Sequence, residues 1–194
     1  VGGESGRGVD DWSNRTDIFA YDLSFAWTQA ADMKVARQFP AVGVIGAIVY
    51  VVGGFNDKGV LSSVEVFDTE GYYPGNSDNT WTLATPMLVA TTAAVIGVLP
   101  QPNRCNPGDV GGCNVCSTCC ASYIFDGPNC DLCVSHQCSE SAADLFLVGG
   151  IDNSAPVSAV QEYEYKTKDG GTWSHGHAMA TARAYHGAAV AHRS

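Results

Sequence analysis

The stretch Ile48-Val49-Tyr50-Val51-Val52-Gly53-Gly54 decides the fold. Its first five residues are apolar and mostly β-branched, a continuous run of the kind carried by a strand buried on both faces. Two glycines close it, allowing positive φ and the close approach of a neighbouring backbone. Further on, Val64-Glu65-Val66-Phe67-Asp68 alternates as a second strand does. Turn formers punctuate the runs, at Asn56-Asp57-Lys58-Gly59, at Tyr73-Pro74-Gly75-Asn76 and later at Asp169-Gly170-Gly171. Trp81 and Met87 follow the second of these turns. No stretch reads as an amphipathic helix.

Outward from this stretch, the same features recur. Val-Gly-Gly stands at Val1-Gly2-Gly3, Val52-Gly53-Gly54 and Val148-Gly149-Gly150. After each comes an apolar run ending in an aromatic and an acid: Tyr21-Asp22, Phe67-Asp68 and Tyr163-Glu164. A Trp is next, at Trp27, Trp81 and Trp173, and six residues after each Trp is a Met, at Met33, Met87 and Met179. Ala36, Ala90 and Ala182 then lie three residues past each Met, with Arg37 and Arg183 directly after two of them. A large Trp suits an outer strand that packs against the adjoining unit. Each unit reads as four short antiparallel strands.

On these residues the chain resembles the kelch-repeat family of β-propellers, whose repeat is about 50 residues with four strands per blade. The offset from Gly2 to Gly53 is 51 residues. Met87 and Gly149 are 62 residues apart where Met33 and Gly53 are 20 apart, so 42 residues are inserted. The resemblance implies an all-β fold, a kelch-type β-propeller segment of about three four-stranded blades with a small disulfide-rich insert. The division is a partial blade over 1–33, a blade over 34–87, and a blade over 88–100 and 143–179. The cysteine-rich insert covers 101–142, and 180–194 reads as the first strand of a further or shared blade. Propellers close with about four to eight blades. Three arrangements are open: an excerpt of a longer propeller, copies that complete a ring or donate the last strand head to tail, or an open array. Unpaired strand edges make association the expectation.

The chain of 194 residues is 45% hydrophobic and 15% charged, with ten Lys+Arg against twenty Asp+Glu. A net charge of -10 repels a phosphate backbone, which argues against nucleic acid as a partner. No signal peptide is evident at the start, so the sequence reads as a mature product or an excerpt. The uncharged run over 41–55 is broken by four glycines. It is shorter than the roughly 20 residues of a membrane span. It reads as two buried strands meeting near Gly46, and no membrane span is expected in this segment.

All eight cysteines lie in the insert: Cys105, Cys113, Cys116, Cys119, Cys120, Cys130, Cys133 and Cys138. The even count, the adjacent Cys119-Cys120 and the weak local core favour disulfides. Cys113-x2-Cys116 with Cys130-x2-Cys133 also has zinc-ribbon spacing, so zinc stays open. Disulfides place the chain outside the reducing cytosol, extracellular or at the cell surface. Asn14-Arg15-Thr16 is an N-glycosylation sequon, pointing the same way. Asn114-Val115-Cys116 is a poorer acceptor. Kelch blades with cysteine-rich modules are similar in architecture to large extracellular proteins such as attractin.

Signals for chemistry are sparse. His175-x-His177 puts two imidazoles on one strand face but has no evident carboxylate or Cys partner, and His136, His186 and His192 read as surface or structural. Asp10-Asp11 and Asp126-Gly127-Pro128-Asn129 are explained by turn chemistry rather than by a calcium loop. There is no nucleophile elbow, phosphate loop or dinucleotide fingerprint. Galactose oxidase shares the kelch-like fold, but its copper site cannot be assembled from cysteines confined to the insert. No catalytic, metal or cofactor residue is expected, and the chain reads as no enzyme. Long loops over 4–14, 70–79 and the insert carry Trp12, Tyr72 and Tyr73, aromatic surface of the kind that contacts a protein or glycan ligand. The function expected is an extracellular interaction module of adhesion or receptor type. The alternative is a structural subunit completed by strand sharing between copies.

Overall fold

The computed structural model describes residues 1–4, 12–20, 26–70, 72, 80–100, 143–167 and 170–191. The first unit holds β1 (Gly3–Glu4), β2 (Trp12–Ser13), β3 (Asp17–Ala20) and β4 (Ala26–Gln29). The second holds β5 (Ala41–Ile45), β6 (Ile48–Val52), β7 (Phe55–Asn56), β8 (Gly59–Val60), β9 (Val64–Asp68) and β10 (Thr82–Ala84). The third holds β11 (Val95–Pro100), β12 (Ala143–Val148), β13 (Val160–Thr167) and β14 (Gly170–His175). No helix forms among the described residues.

The second and third units are antiparallel four-stranded sheets, ordered β5-β6-β9-β10 and β11-β12-β13-β14. They are the blades that the repeat implies. In the first unit, the described outer pair is β3–β4, with Phe19 opposite Trp27. That register corrects the sequence alignment. Phe67 lies beside the Trp81 end of β10 and Tyr163 pairs with Trp173, so the matching aromatic of the first unit is Phe19, two residues before Tyr21. Tyr21 itself lies outside the described residues.

Two cores hold the units together. Between the second and third, Ile45, Tyr50, Val64 and Val66 meet Leu145, Leu147, Tyr163 and Trp173. Gly43 makes this approach possible, since a Cβ there would stand 2.7 Å from Ile96 Cγ2 and 3.1 Å from Leu145 Cδ2. Between the first and second, Met33, Val51, Phe67 and Trp81 form a smaller cluster. Each such side chain contributes about 1.5–3 kcal/mol through burial. The alternation of β5 exposes an asymmetry. Ala41 and Ile45 are buried against the third unit, while Val42 and Val44 are 46% and 50% exposed on the face toward the first. No described strand of the first unit reaches them.

The paired glycines and the Met belong to one device. The first glycine of each pair has φ near +60°, at Gly2, Gly53 and Gly149. The Met ε-methyl of the same unit lies against it: an added Cβ would stand 3.2, 2.9 and 2.9 Å from Met33, Met87 and Met179. The second glycine donates its N–H to the carbonyl four residues past that Met, Gly3 to Arg37 (3.0 Å), Gly54 to Thr91 (3.0 Å) and Gly150 to Arg183 (2.7 Å). Each unit is thereby tied end to beginning.

The chain over 185–191 forms no strand among the described residues. Yet Tyr185 N–H donates to the Ala93 carbonyl (3.1 Å) as Ala93 N–H does to Phe39 (3.0 Å). Val190 lies against Gly97 of β11 much as Ile96 of β11 lies against Gly43 of β5. The segment takes the path of a further inner strand, with no strand partner among the described residues.

Gly53→Ala is expected to lose about 3 kcal/mol or more in urea unfolding, because left-handed strain adds to collision with Met87 and the Thr91 carbonyl. Gly59→Ala, with φ of 99° but open space around it, is expected to lose only about 1 kcal/mol. Equal losses would contradict the device.

Candidate functional site

The surfaces where units meet are the most constrained parts of the molecule. At the first junction, Trp81 lies in the second unit but its indole N–H donates into the first, to the Ala31 carbonyl (3.0 Å) and Thr16 Oγ1 (3.1 Å). Phe67 leans on the indole with ring centroids 5.2 Å apart. Beside it, the fully buried Glu65 accepts from the Lys34 N–H (2.7 Å) and the Val35 N–H (3.1 Å) in the loop after Met33. The same carboxylate takes Arg37 Nη2 at 2.7 Å.

Arg37 is also fully buried and its other donors are used, on the Gly53 carbonyl (2.7 Å), the Ser63 carbonyl (3.0 Å) and Ser63 Oγ (3.1 Å). Burial pulls the guanidinium below its ordinary value, and the bond and charge of Glu65 pull it back up. The pair is a clamp across the junction rather than a reactive site.

The second junction repeats the first without charge. Trp173 N–H donates to the Thr85 carbonyl (3.0 Å), and Tyr163 leans on the indole at 5.0 Å. Gln161 takes the place of Glu65: it accepts from the Val89 N–H and donates to the Val89 carbonyl, both at 3.0 Å. Thr91 takes the place of Arg37. The Trp expectation is corrected at one position. Each Trp packs on the unit before it, and Trp27, with no preceding unit described, is 71% exposed.

The sequence-derived contact residues are partly spent on packing. Trp12 is half-buried, edge-on to Phe55 at 6.4 Å. Tyr72 is half-buried against Phe67 at 5.9 Å. The Asn14 amide donates to the Met33 carbonyl (3.0 Å), so the sequon side chain braces the Met loop. Tyr73, His136, His192, Asp10, Asp11, the 126–129 turn and all eight cysteines lie outside the described residues. His175 and His177 are exposed on a cleft of about 480 Å3 in the third unit, lined also by Phe146, Val160, Glu162 and Gly176. No group of three His, Cys, Asp or Glu side chains is placed to hold a metal among the described residues. No described helix is long and apolar enough to cross a membrane.

Topology sorts the long loops. In an antiparallel meander, the first-to-second and third-to-fourth connections leave the same edge. Gly46-Ala47 joins β5 to β6 and meets the start of the β9–β10 connection, where Thr69 N–H donates to the Ala47 carbonyl (2.8 Å). The β11–β12 ladder ends on the pair Pro100↔Ala143, so the 101–142 segment departs from the rim that Gly46-Ala47 closes in the second unit. The strand ends that bound the 70–79 connection and the insert therefore lie at one rim. The 4–14 loop, between β1 and β2, belongs to the other, with the glycine pairs and Met loops.

Residues 36–88 match the Kelch motif family model, a stretch that takes in all six strands of the second unit. That unit is a kelch repeat, and the third unit repeats its four-stranded antiparallel order. No curated protein matches the chain.

Arg37→Thr or Glu65→Gln alone is expected to destabilise by about 3–5 kcal/mol, since each leaves its partner buried without a counter-charge. The double variant copies the Thr91–Gln161 junction. It is expected to be less destabilised than the sum by on the order of 1–3 kcal/mol in urea unfolding. Simple additivity would contradict the equivalence of the two junctions.

Proposed function

We propose that the chain is a non-enzymatic, extracellular or cell-surface kelch-type module that binds a protein or glycan ligand through its insert-bearing rim. The observation that carries this reading is the Pro100↔Ala143 pairing, which gathers the insert and the 70–79 loop on one rim. The constrained side chains are used at junctions and the opposite rim is occupied by the glycine–Met device, so variable contacts belong on the loop-rich side. Eight cysteines in the insert support disulfides and hence an oxidising compartment.

Binding of the fluorescently labelled chain to cultured cells tests the ligand reading, with cells untreated, protease-treated or glycosidase-treated. A variant in which Gly-Ala replaces 101–142, copying the Gly46-Ala47 turn, is expected to keep its far-UV circular dichroism and lose binding. Binding that survives in this variant, or no binding by the parent, would overturn the assignment. Iodoacetamide is expected to leave the mass of the denatured, unreduced chain unchanged and to add eight groups after reduction. Full labelling after chelation alone would show zinc instead.

A further inference from the structure

We propose that Asn14 carries an N-linked oligosaccharide, added while the chain is being made and before the first and second units close on each other. This builds on the extracellular destination given above, since chains sent there pass the transferase that modifies Asn-x-Thr. Asn14-Arg15-Thr16 has that pattern. The repeat requires neither end of it. Met33 N–H donates to the Asn14 carbonyl as Met87 N–H does to Ser62 and Met179 N–H to Ser158, so Asn14 stands where the other units have Ser. Two residues on, Thr16 stands where they have Val64 and Val160. A unit closes with Ser and Val at these places, and of the three only the first puts an amide and a hydroxyl there.

The position has room for a sugar in a folded unit. Ser62, with a unit on either side of its own, is half-buried, and so is Asn14. Neighbouring units therefore do not close over this place. The Asn14 amide has two N–H bonds, and the Met33 carbonyl takes one of them at 3.0 Å. Arg15, between the two sequon residues, is exposed. An oligosaccharide here departs from the rim of the glycine pairs and Met loops. The insert leaves from the other rim, so the ligand surface assigned above stays uncovered.

The hydroxyl is placed differently. Thr16 is 3% exposed, and its Oγ1 accepts the Trp81 indole N–H at 3.1 Å. Transfer needs both sequon groups, the amide nitrogen to react and the hydroxyl to be recognised by the transferase. Asn14 Nδ2 attacks the anomeric carbon of an oligosaccharide held on a lipid pyrophosphate. The N–C bond forms as the C–O bond to the pyrophosphate breaks, one amide proton passes to the transferase, and the lipid pyrophosphate leaves. Once Trp81 is seated, the hydroxyl is out of reach and the folded chain is no substrate. Trp81 follows Thr16 by 65 residues. At about 5–20 residues per second, that separation leaves about 3–13 seconds in which the sequon has been made and its seal has not. The Trp81 seat thus imposes an order: the sugar first, the junction second.

Translation with and without endoplasmic-reticulum microsomes tests the proposal by peptide mass mapping. With a secretory leader supplied and microsomes present during synthesis, the chain is expected to gain an oligosaccharide at Asn14. Peptide N-glycosidase should remove it and leave aspartate at that position, and Asn14→Gln and Thr16→Val should each abolish it. Because the leader is supplied, this result does not depend on the chain's natural destination or on any ligand of the insert. Chain made without microsomes, folded, and then given solubilised transferase with lipid-linked oligosaccharide is expected to react about a hundredfold or more slowly than a peptide of residues 12–17, since only its locally opened fraction can react. The glycosylated chain is expected to keep the far-UV circular dichroism of the unmodified one. No sugar on Asn14 of the nascent chain, a folded chain as reactive as the peptide, or a glycosylated chain without its sheet signal would each overturn the proposal.

Discussion

Everything in this fold hangs on one contact: an indole N–H that leaves its own sheet to reach a backbone carbonyl of the unit before it. Blades are thin. A four-stranded sheet of short strands cannot bury both faces by itself, so its stability comes from its neighbours. The indole provides the largest apolar surface for that purpose and one donor that must be satisfied when buried. Ala31 and Thr85 supply the acceptor at equivalent places, which fixes not only contact but register. Once the Trp is seated, Phe67 or Tyr163 is held against it, and the acid or amide two residues earlier falls opposite the loop after Met.

The two junctions show one seat filled in two chemical ways. Glu65 and Arg37 use charge, and the guanidinium directs its donors at backbone and side-chain oxygens around it. Gln161 and Thr91 do the same positional work as neutral groups, with the amide closing both ways on Val89. A buried ion pair contributes little net stability over a neutral substitute, but half of one is very costly. The charged junction therefore discriminates against wrong partners more sharply than the neutral one. The aromatic face of the first unit, with its acid, is built to the same specification.

The repeat is legible in the sequence because its residues are chemically unusual: paired glycines, Trp and Met at fixed spacing. The glycine–Met association has a steric cause, the ε-methyl filling the space a Cβ would need, so both residue types have to recur. The acid after the aromatic is a misleading landmark, and it shifts the aromatic of the first unit to Tyr21. The better landmark precedes it: Asp17, Glu65 and Gln161 each stand two residues before Phe19, Phe67 and Tyr163. Phe39, Ala93 and Tyr185 carry no signal of their shared role. They have positive φ values of 50°, 52° and 52° at equivalent places, a conformation that Phe, Ala and Tyr do not favour. Their hydrogen bonds to one another explain the shared conformation. The small Ala93 leaves room for the Phe39 and Tyr185 rings to meet edge-on at 5.9 Å. Spacing alone puts the insert between two strands. That it leaves from the same rim as the 70–79 connection becomes visible only through strand direction.

Indole hydrogen exchange tests the central contact most directly. In the 15N-tryptophan-labelled chain, each indole N–H is assigned by Trp→Phe substitution. Slow exchange is predicted for Trp81 and Trp173, whose N–H groups are seated on a neighbouring unit, and free exchange for Trp27. Exchange of Trp81 or Trp173 as fast as that of Trp27 would contradict the role given to the indole.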